Sequence, residues 1–292
     1  MSVAPLVAVP KAPAAAVRRR RFDRGRTLQR VVLLLAAATV VVPFGAIMLA
    51  CLQGPASLTV SPRWPDRLHF ENYANAWTTA GFGSLLGSSA LIAVVVMPIA
   101  LLCASLAGYA FATVDFAGRS ALMGLFLLGL ALPYEAIIIP LYFGFKDAGL
   151  LDNQLAVILP LIGAFMPFGI LWMRSHFEQL PQELAEAAEI DGASTPRTML
   201  SVLLPVSWPA LATLGLLYFM WAWNQFLLAL IMLQDPAKRT APSGLGKFVQ
   251  QYGTNIPLLC AGTVILIAPI VIIYLVFQRH FIKGLVSGAV KG

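Results

Sequence analysis

Six stretches of this chain are too apolar and too long to sit on the surface of a water-soluble fold. Residues 31–62, 72–114, 153–173, 198–234 and 248–278 contain no Asp, Glu, Lys or Arg, and residues 120–145 contain only Glu135. A helix crossing a bilayer needs about 20 mainly apolar residues, and each stretch can supply them. Inside lipid the backbone must satisfy its own hydrogen bonds, which leaves helices or a closed barrel. Barrel strands alternate apolar and polar residues, and these runs do not. The expected fold is all-α and polytopic, with six transmembrane helices near residues 28–52, 84–112, 119–142, 154–174, 205–233 and 257–281. Composition agrees: only 11% of the 292 residues are charged, against about 25% in soluble domains.

The charges that remain set the orientation, because cytoplasmic loops of membrane proteins are enriched in Lys and Arg. With a cytoplasmic N-terminus the inner segments hold 14 cations and 7 acids, and the outer segments 6 cations and 6 acids. Both termini are therefore expected on the cytoplasmic side of the membrane. The basic balance reflects this orientation and contact with anionic membrane lipid; it does not imply nucleic-acid binding. Residues 1–27, rich in Ala, Pro, Val and Arg, have no helical stripe and read as a disordered basic tail. The apolar part that follows exceeds the about 7–15 residues of a cleavable signal, so it reads as an uncleaved first span. Residues 28–292 then form one transmembrane domain. An outer loop, residues 53–82, carries the amphipathic stretch FENYANAW, where Tyr73 and Trp77 suit the membrane interface.

One polar insert breaks the apolar pattern. EAAEIDGASTPRTMLSVLLP, residues 186–205, lies between the fourth and fifth runs and faces the cytoplasm in this topology. It reads as the main part of a helix–turn–helix over residues 181–205. Pro181 suits the first turn of a helix. Asp191-Gly192 forms a stop, with glycine at the left-handed position. Thr195-Pro196 restarts a helix as cap and first residue, and Met199, Leu200 and Leu203 make an apolar stripe. Glu183, Glu186 and Glu189 recur every third residue, and their like charges mildly disfavour the helix. A basic partner docking on this face would relieve that cost.

The insert resembles the EAA motif of ABC importer permeases. Glu186-Ala187-Ala188, Asp191-Gly192-Ala193 and Leu204-Pro205 match that motif, with Val202 in place of the usual Ile and Met199 in place of the usual Phe. The flanks extend the likeness: Trp223-Asn224, the long outer loop after it and the ending FIKGLVSGAVKG are similar to the second permease subunit of maltose-type sugar importers. The resemblance implies a second permease subunit, two cytoplasmic ATP-binding subunits and an extracytoplasmic solute-binding protein as partners. It implies that Glu186 pairs with a basic group on the ATPase, that Gly192 permits the turn, and that Met199 and Leu200 fill an apolar pocket there. Ala187, Ala188, Asp191, Ala193 and Pro205 belong to the same coupling segment. ATP and Mg would be held by the partner ATPase; this chain would hold no cofactor and no metal.

Ser243-Gly244-Leu245-Gly246-Lys247-Phe248 superficially resembles a phosphate loop, but Ala241 and Phe248 stand where a Walker sequence needs Gly and Ser or Thr. No catalytic constellation is visible, so the chain is expected to be a transport subunit and not an enzyme. Glu135, in the apolar third run, either lines the pathway near its outer mouth or reaches the interface where the span bends at Pro133. Asn224 and Gln225 lie midway through the fifth span, where they line the pathway or bond between helices. Tyr218, Trp221 and Trp223 offer flat apolar faces for a sugar. A sugar or oligosaccharide is the expected substrate, with a glycerol-phosphate-type solute as the alternative. An ion-coupled carrier would need intramembrane ionisable groups, and only Glu135 is present. The three cysteines, Cys51, Cys103 and Cys260, have no spacing that implies a disulfide or a metal site and read as packing residues.

Overall fold

The computed structural model describes residues 24–54, 64–250 and 253–289, the side chains of 24–27, 250 and 279–289 excepted. The tail expectation for residues 1–23 lies outside the described residues, as does the FIKGLVSGAVKG ending beyond residue 289. The elements are α1 Arg24–Cys51, α2 Glu71–Ala80, α3 Phe82–Thr113, α4 Arg119–Ala131, α5 Tyr134–Asp147, α6 Leu155–Phe177, α7 Glu183–Ile190, α8 Thr195–Val206, α9 Trp208–Trp223, α10 Leu227–Met232 and α11 Ile256–Ala289. Two short 3-10 segments, Pro236–Lys238 and Ala241–Phe248, and a two-residue antiparallel pairing of Val249–Gln250 with Gly253–Thr254 fill the loop before α11.

Four helices are long and apolar enough to cross a membrane: α1, α3, α6 and α11. Two pairs of helices are long and apolar enough only when taken together, and each is bent, α4 with α5 at 99° and α8 with α9 at 80°. The count is therefore four continuous spans, or six if each bent pair is one span. The third run was expected as one helix over residues 119–142. It breaks at Leu132 and Pro133, because proline removes a backbone donor and disfavours a helical conformation in the residue before it; Leu132 and Pro133 are both extended (ψ 128° and 122°). The fifth run, expected as one span, breaks twice, at Ser207 and again at Asn224 to Phe226.

The chain divides into two units at Gly45 and Ala46. In the first, α1 is uncharged from Val31 onward, and Leu33, Leu34, Val41 and Val42 are all exposed. The second unit packs around α3, α6 and α9. Ala93, Ala100 and Ala104 of α3 are fully buried in a core with Leu161 and Phe165 of α6 and Leu214, Tyr218 and Ala222 of α9. Small residues at such a seam let helix backbones approach closely, which is how helices associate where lipid offers no hydrophobic contrast. A second cluster gathers Ala50 and Cys51, Ala76 and Ala80 of α2, Phe82, Phe248, and Cys260 and Ala261 of α11. Asn72 fixes α2 there: its buried amide donates to the Cys51 and Gln53 carbonyls at 2.8 and 2.9 Å, filling acceptors that the end of α1 leaves open. Cys51 and Cys260 are buried and Cys103 is exposed; all three are free thiols.

Candidate functional site

The polar insert folds as helix, turn, helix. At the end of α7 the Ala193 N–H donates to the Ala188 carbonyl and the Gly192 N–H to the Glu189 carbonyl, both at 2.9 Å. This pair of bonds, with Gly192 at φ +76°, is the glycine stop that satisfies the last carbonyls of a helix. Ser194 is extended and caps α8, its carbonyl accepting from Thr198 N–H at 2.9 Å. The cap is thus one residue earlier than the Thr195 expected from sequence, and Pro196 falls in the first turn. The middle of α8, Met199–Leu203, is a π-turn.

The two helices sort their residues cleanly. Ala188, Thr198, Met199 and Leu203 are buried, Leu203 within the central core. Glu183, Glu186, Ala187, Glu189, Asp191, Gly192 and Pro205 are exposed, with Ala193 half-buried. Ile190, Leu200 and Val206 are the outward large apolar residues, 85%, 55% and 50% exposed. The sequence reading put Met199 and Leu200 on one docking face. Met199 is buried within this chain while the adjacent Leu200 is exposed, so the two point different ways. Ile190, missed in the sequence, is the most exposed apolar side chain of the hairpin; its signal was an isoleucine placed directly before an Asp-Gly stop.

The expected pathway residues fall into two groups. Tyr218 is fully buried, stacks on Phe165 with centroids 5.0 Å apart and donates its hydroxyl to the Phe165 carbonyl at 2.8 Å. It packs α9 on α6, and no face is left for a sugar. Trp223 is likewise buried, its indole N–H donating to the Leu266 carbonyl at 3.2 Å. Glu135, Trp221 and Asn224 are exposed and Gln225 half-buried. Glu135 follows directly on the bend at Pro133, in the first turn of α5, where the positive end of the helix favours a carboxylate. Asn224 lies just past the end of α9 and donates to the Met220 carbonyl at 2.9 Å, within its own helix. Gln225 Oε1 accepts from the Leu228 N–H at 3.4 Å, starting α10.

A polar strap between loops was not legible in the sequence. Asp152, at φ +59°, donates its N–H to the Met232 carbonyl at 2.9 Å. Its carboxylate accepts from the Asp235 N–H at 3.0 Å and from Lys238 Nζ at 2.6 Å. The lysine holds the Asp152 carboxyl below the usual carboxylate range, and the carboxylate in turn raises Lys238. Ser88 of α3 donates to the Lys238 carbonyl at 2.5 Å, and Gln154 donates to the Ser88 hydroxyl at 2.9 Å. The partners lie 86 positions apart, and no local pattern announces such a pair.

Known proteins agree with this geometry. Residues 100–287 match the family described as binding-protein-dependent transport system inner membrane component. The chain is 38% identical, over 78% of its length and 81% of the relative's, to the arabinooligosaccharides transport system permease protein AraQ of Halalkalibacterium halodurans. It is 33% identical, over 94% and 91%, to the diacetylchitobiose uptake system permease protein NgcG of Streptomyces coelicolor. A solved bacterial ABC transporter involved in the import of the acidic polysaccharide alginate superposes with TM-score 0.76 and 25% identity, covering 89% of this chain and 98% of that one. The chain belongs to the family of inner-membrane components of binding-protein-dependent transport systems.

Proposed function

We propose that this chain is one of two permease subunits of an ATP-driven importer for a sugar or oligosaccharide, with six spans and both termini in the cytoplasm. The observation that carries this reading is the outward face of the α7–α8 hairpin. Three carboxylates, Glu183, Glu186 and Glu189, surround two exposed apolar side chains, Ile190 and Leu200. Behind it Ala188 and Met199 are buried, and Leu203 joins the core that α3, α6 and α9 share. Such a face suits a cleft with an apolar floor and basic walls, and its buried side passes any movement of the partner to α9. The partner is a cytoplasmic ATPase that binds ATP and Mg; a solute-binding protein delivers substrate from the other side. Glu186 pairs with a basic group of the ATPase, and Glu135, Trp221, Asn224 and Gln225 border the pathway. The sugar class is supported by relatives named for arabinooligosaccharides, diacetylchitobiose and trehalose.

Ile190→Asp and Leu200→Asp test the hairpin. Each puts a charge on the docking face without touching the buried anchor. The expected outcome is a chain that inserts normally and pairs with its partner permease but no longer retains the ATPase on purification. Retention of the ATPase and full uptake by both variants would exclude the hairpin as the coupling element.

A further inference from the structure

We propose that α6 and α9 carry a stacking surface for pyranose or furanose rings, built from Trp221, Phe168 and Trp172 and edged by Asn224 and Gln225. This inference rests on the sugar reading above and gives it a place in the chain. The rings form a ladder. Trp221 meets Phe168 edge to face with centroids 5.2 Å apart, and Phe168 stacks on Trp172 at 6.0 Å. Trp221 is also set against Phe165 at 5.5 Å, which fixes its plane. Phe168 and Trp172 stand one helical turn apart on α6, so the ladder runs along the helix, toward the end of the span that leads into the α7–α8 hairpin.

Two features separate this surface from ordinary packing. Trp221 is 40% exposed, whereas Tyr218 and Trp223 on the same helix are buried and have their polar atoms satisfied. The Trp172 indole N–H is taken by the Ala210 carbonyl at 3.3 Å, while that of Trp221 has no partner among the described contacts. The second feature is the amide edge. Asn224 lies three residues after Trp221, where α9 ends, and its side chain is exposed. Its Nδ2 is used locally, leaving Oδ1 open, and Gln225 uses Oε1 locally, leaving Nε2 open. An exposed amide turned toward hydrocarbon would forfeit its hydrogen bonds, so this face looks onto water or protein and not onto lipid tails.

The chemistry that fits is a sugar ring. Its C–H face packs on the electron-rich face of an indole, and its rim hydroxyls need both donors and acceptors at the edge. Trp221 N–H and Gln225 Nε2 supply donors, and Asn224 Oδ1 supplies an acceptor. Rings in series suit a substrate that must move, since each offers a similar contact and none holds the sugar by charge.

The test uses the complete importer, with partner permease, ATPase and binding protein, in proteoliposomes, and follows uptake of labelled trehalose, diacetylchitobiose and arabinotriose. Trp221→Leu keeps the apolar bulk and removes the aromatic face; Trp221→Phe keeps an aromatic face. Trp221→Leu is expected to lower uptake of the transported sugar about tenfold, the equivalent of one lost stacking contact. Trp221→Phe should stay within about threefold of wild type, and stimulation of ATP hydrolysis by loaded binding protein should persist in both. Equal uptake by Trp221→Leu and wild type would overturn the proposal. So would loss of the partner permease from both variants, which would make the surface a subunit interface. If the wild-type importer moves none of the three sugars, the sugar reading itself fails and takes this inference with it.

Discussion

The hydroxyl of Tyr218 occupies the space that a β-carbon on Gly169 would need. The glycine on α6 therefore lets α9 come close enough for the Tyr218–Phe165 hydrogen bond of 2.8 Å. A β-carbon at 169 would also stand 2.7 Å from the Ala104 β-carbon of α3, so the three central helices meet at one point. Gly169→Ala should lower stability in detergent by about 1–3 kcal/mol, the range for overpacking a tight core. Tyr218→Phe removes the offending oxygen. The double variant should lose less than the two single losses added together, read as melting shifts by fluorescence-detected size exclusion. Strict additivity would mean that the two residues do not share the space described.

Gly192→Val should insert and assemble its membrane helices normally, yet fail to transport. Nothing lies within 4 Å of a β-carbon at 192, so bulk is no obstacle; φ +76° is. A β-branched residue held there costs about 1–3 kcal/mol, enough to shift the turn and misdirect Leu200. Gly192→Asn, which tolerates the left-handed region better, should recover much of the activity. Substrate-stimulated ATP hydrolysis and uptake are the readouts, and full activity of the valine variant would remove the turn from the coupling path.

The Asp152–Lys238 strap should have a flat stability profile through neutral pH and weaken at both extremes. Asp152 titrates below its ordinary range, so its contribution is present above that range and lost as pH falls through the lowered value. Lys238 titrates above its ordinary range, so its contribution is present below that range and lost as pH rises through the raised value. Both groups are solvent-accessible, so the effect is modest. Lys238→Met should give, at neutral pH, the faster proteolytic cleavage of the 234–248 loop that wild type shows only at low or high pH. No change in cleavage on substitution would show that the backbone bonds alone hold the loop.

Reporter fusions after Ser194 should be active only with a cytoplasmic reporter, as the unequal distribution of the 20 Lys and Arg residues requires. Activity confined to an exported phosphatase would invert the orientation and separate the α7–α8 hairpin from any ATPase.

What the sequence disclosed and what it hid follow from the range of the forces involved. Long apolar runs announced α1, α3, α6 and α11, because the length of a span is a local property. The Asp191-Gly192 stop was readable for the same reason. Bends at Pro133 and Ser207 were less so: a proline such as Pro98 stays inside a continuous α3, and only the surroundings decide which proline breaks a helix. Burial was the least legible. Tyr218 and Trp221 are three residues apart and chemically alike, yet one is sealed against Gly169 and the other is open. Met199 and Leu200 divide in the same way, and the Asp152–Lys238 pair joins segments that share no local pattern.

The close seam of α3, α6 and α9 also limits how this protein moves. Its alanines and Gly169 bring the backbones close while Leu161, Phe165, Leu214 and Tyr218 interlock between them, so sliding would open voids. The three helices behave as a single block. The continuous helices end where the chain is broken, at Leu132-Pro133, Ser207 and Asn224 to Phe226, and these breaks are the places with local freedom to bend. Each of these joints borders a candidate element: Glu135 at the first, the hairpin at the second, the stacking surface at the third. The breaks in the helices and the candidate elements thus fall at the same places.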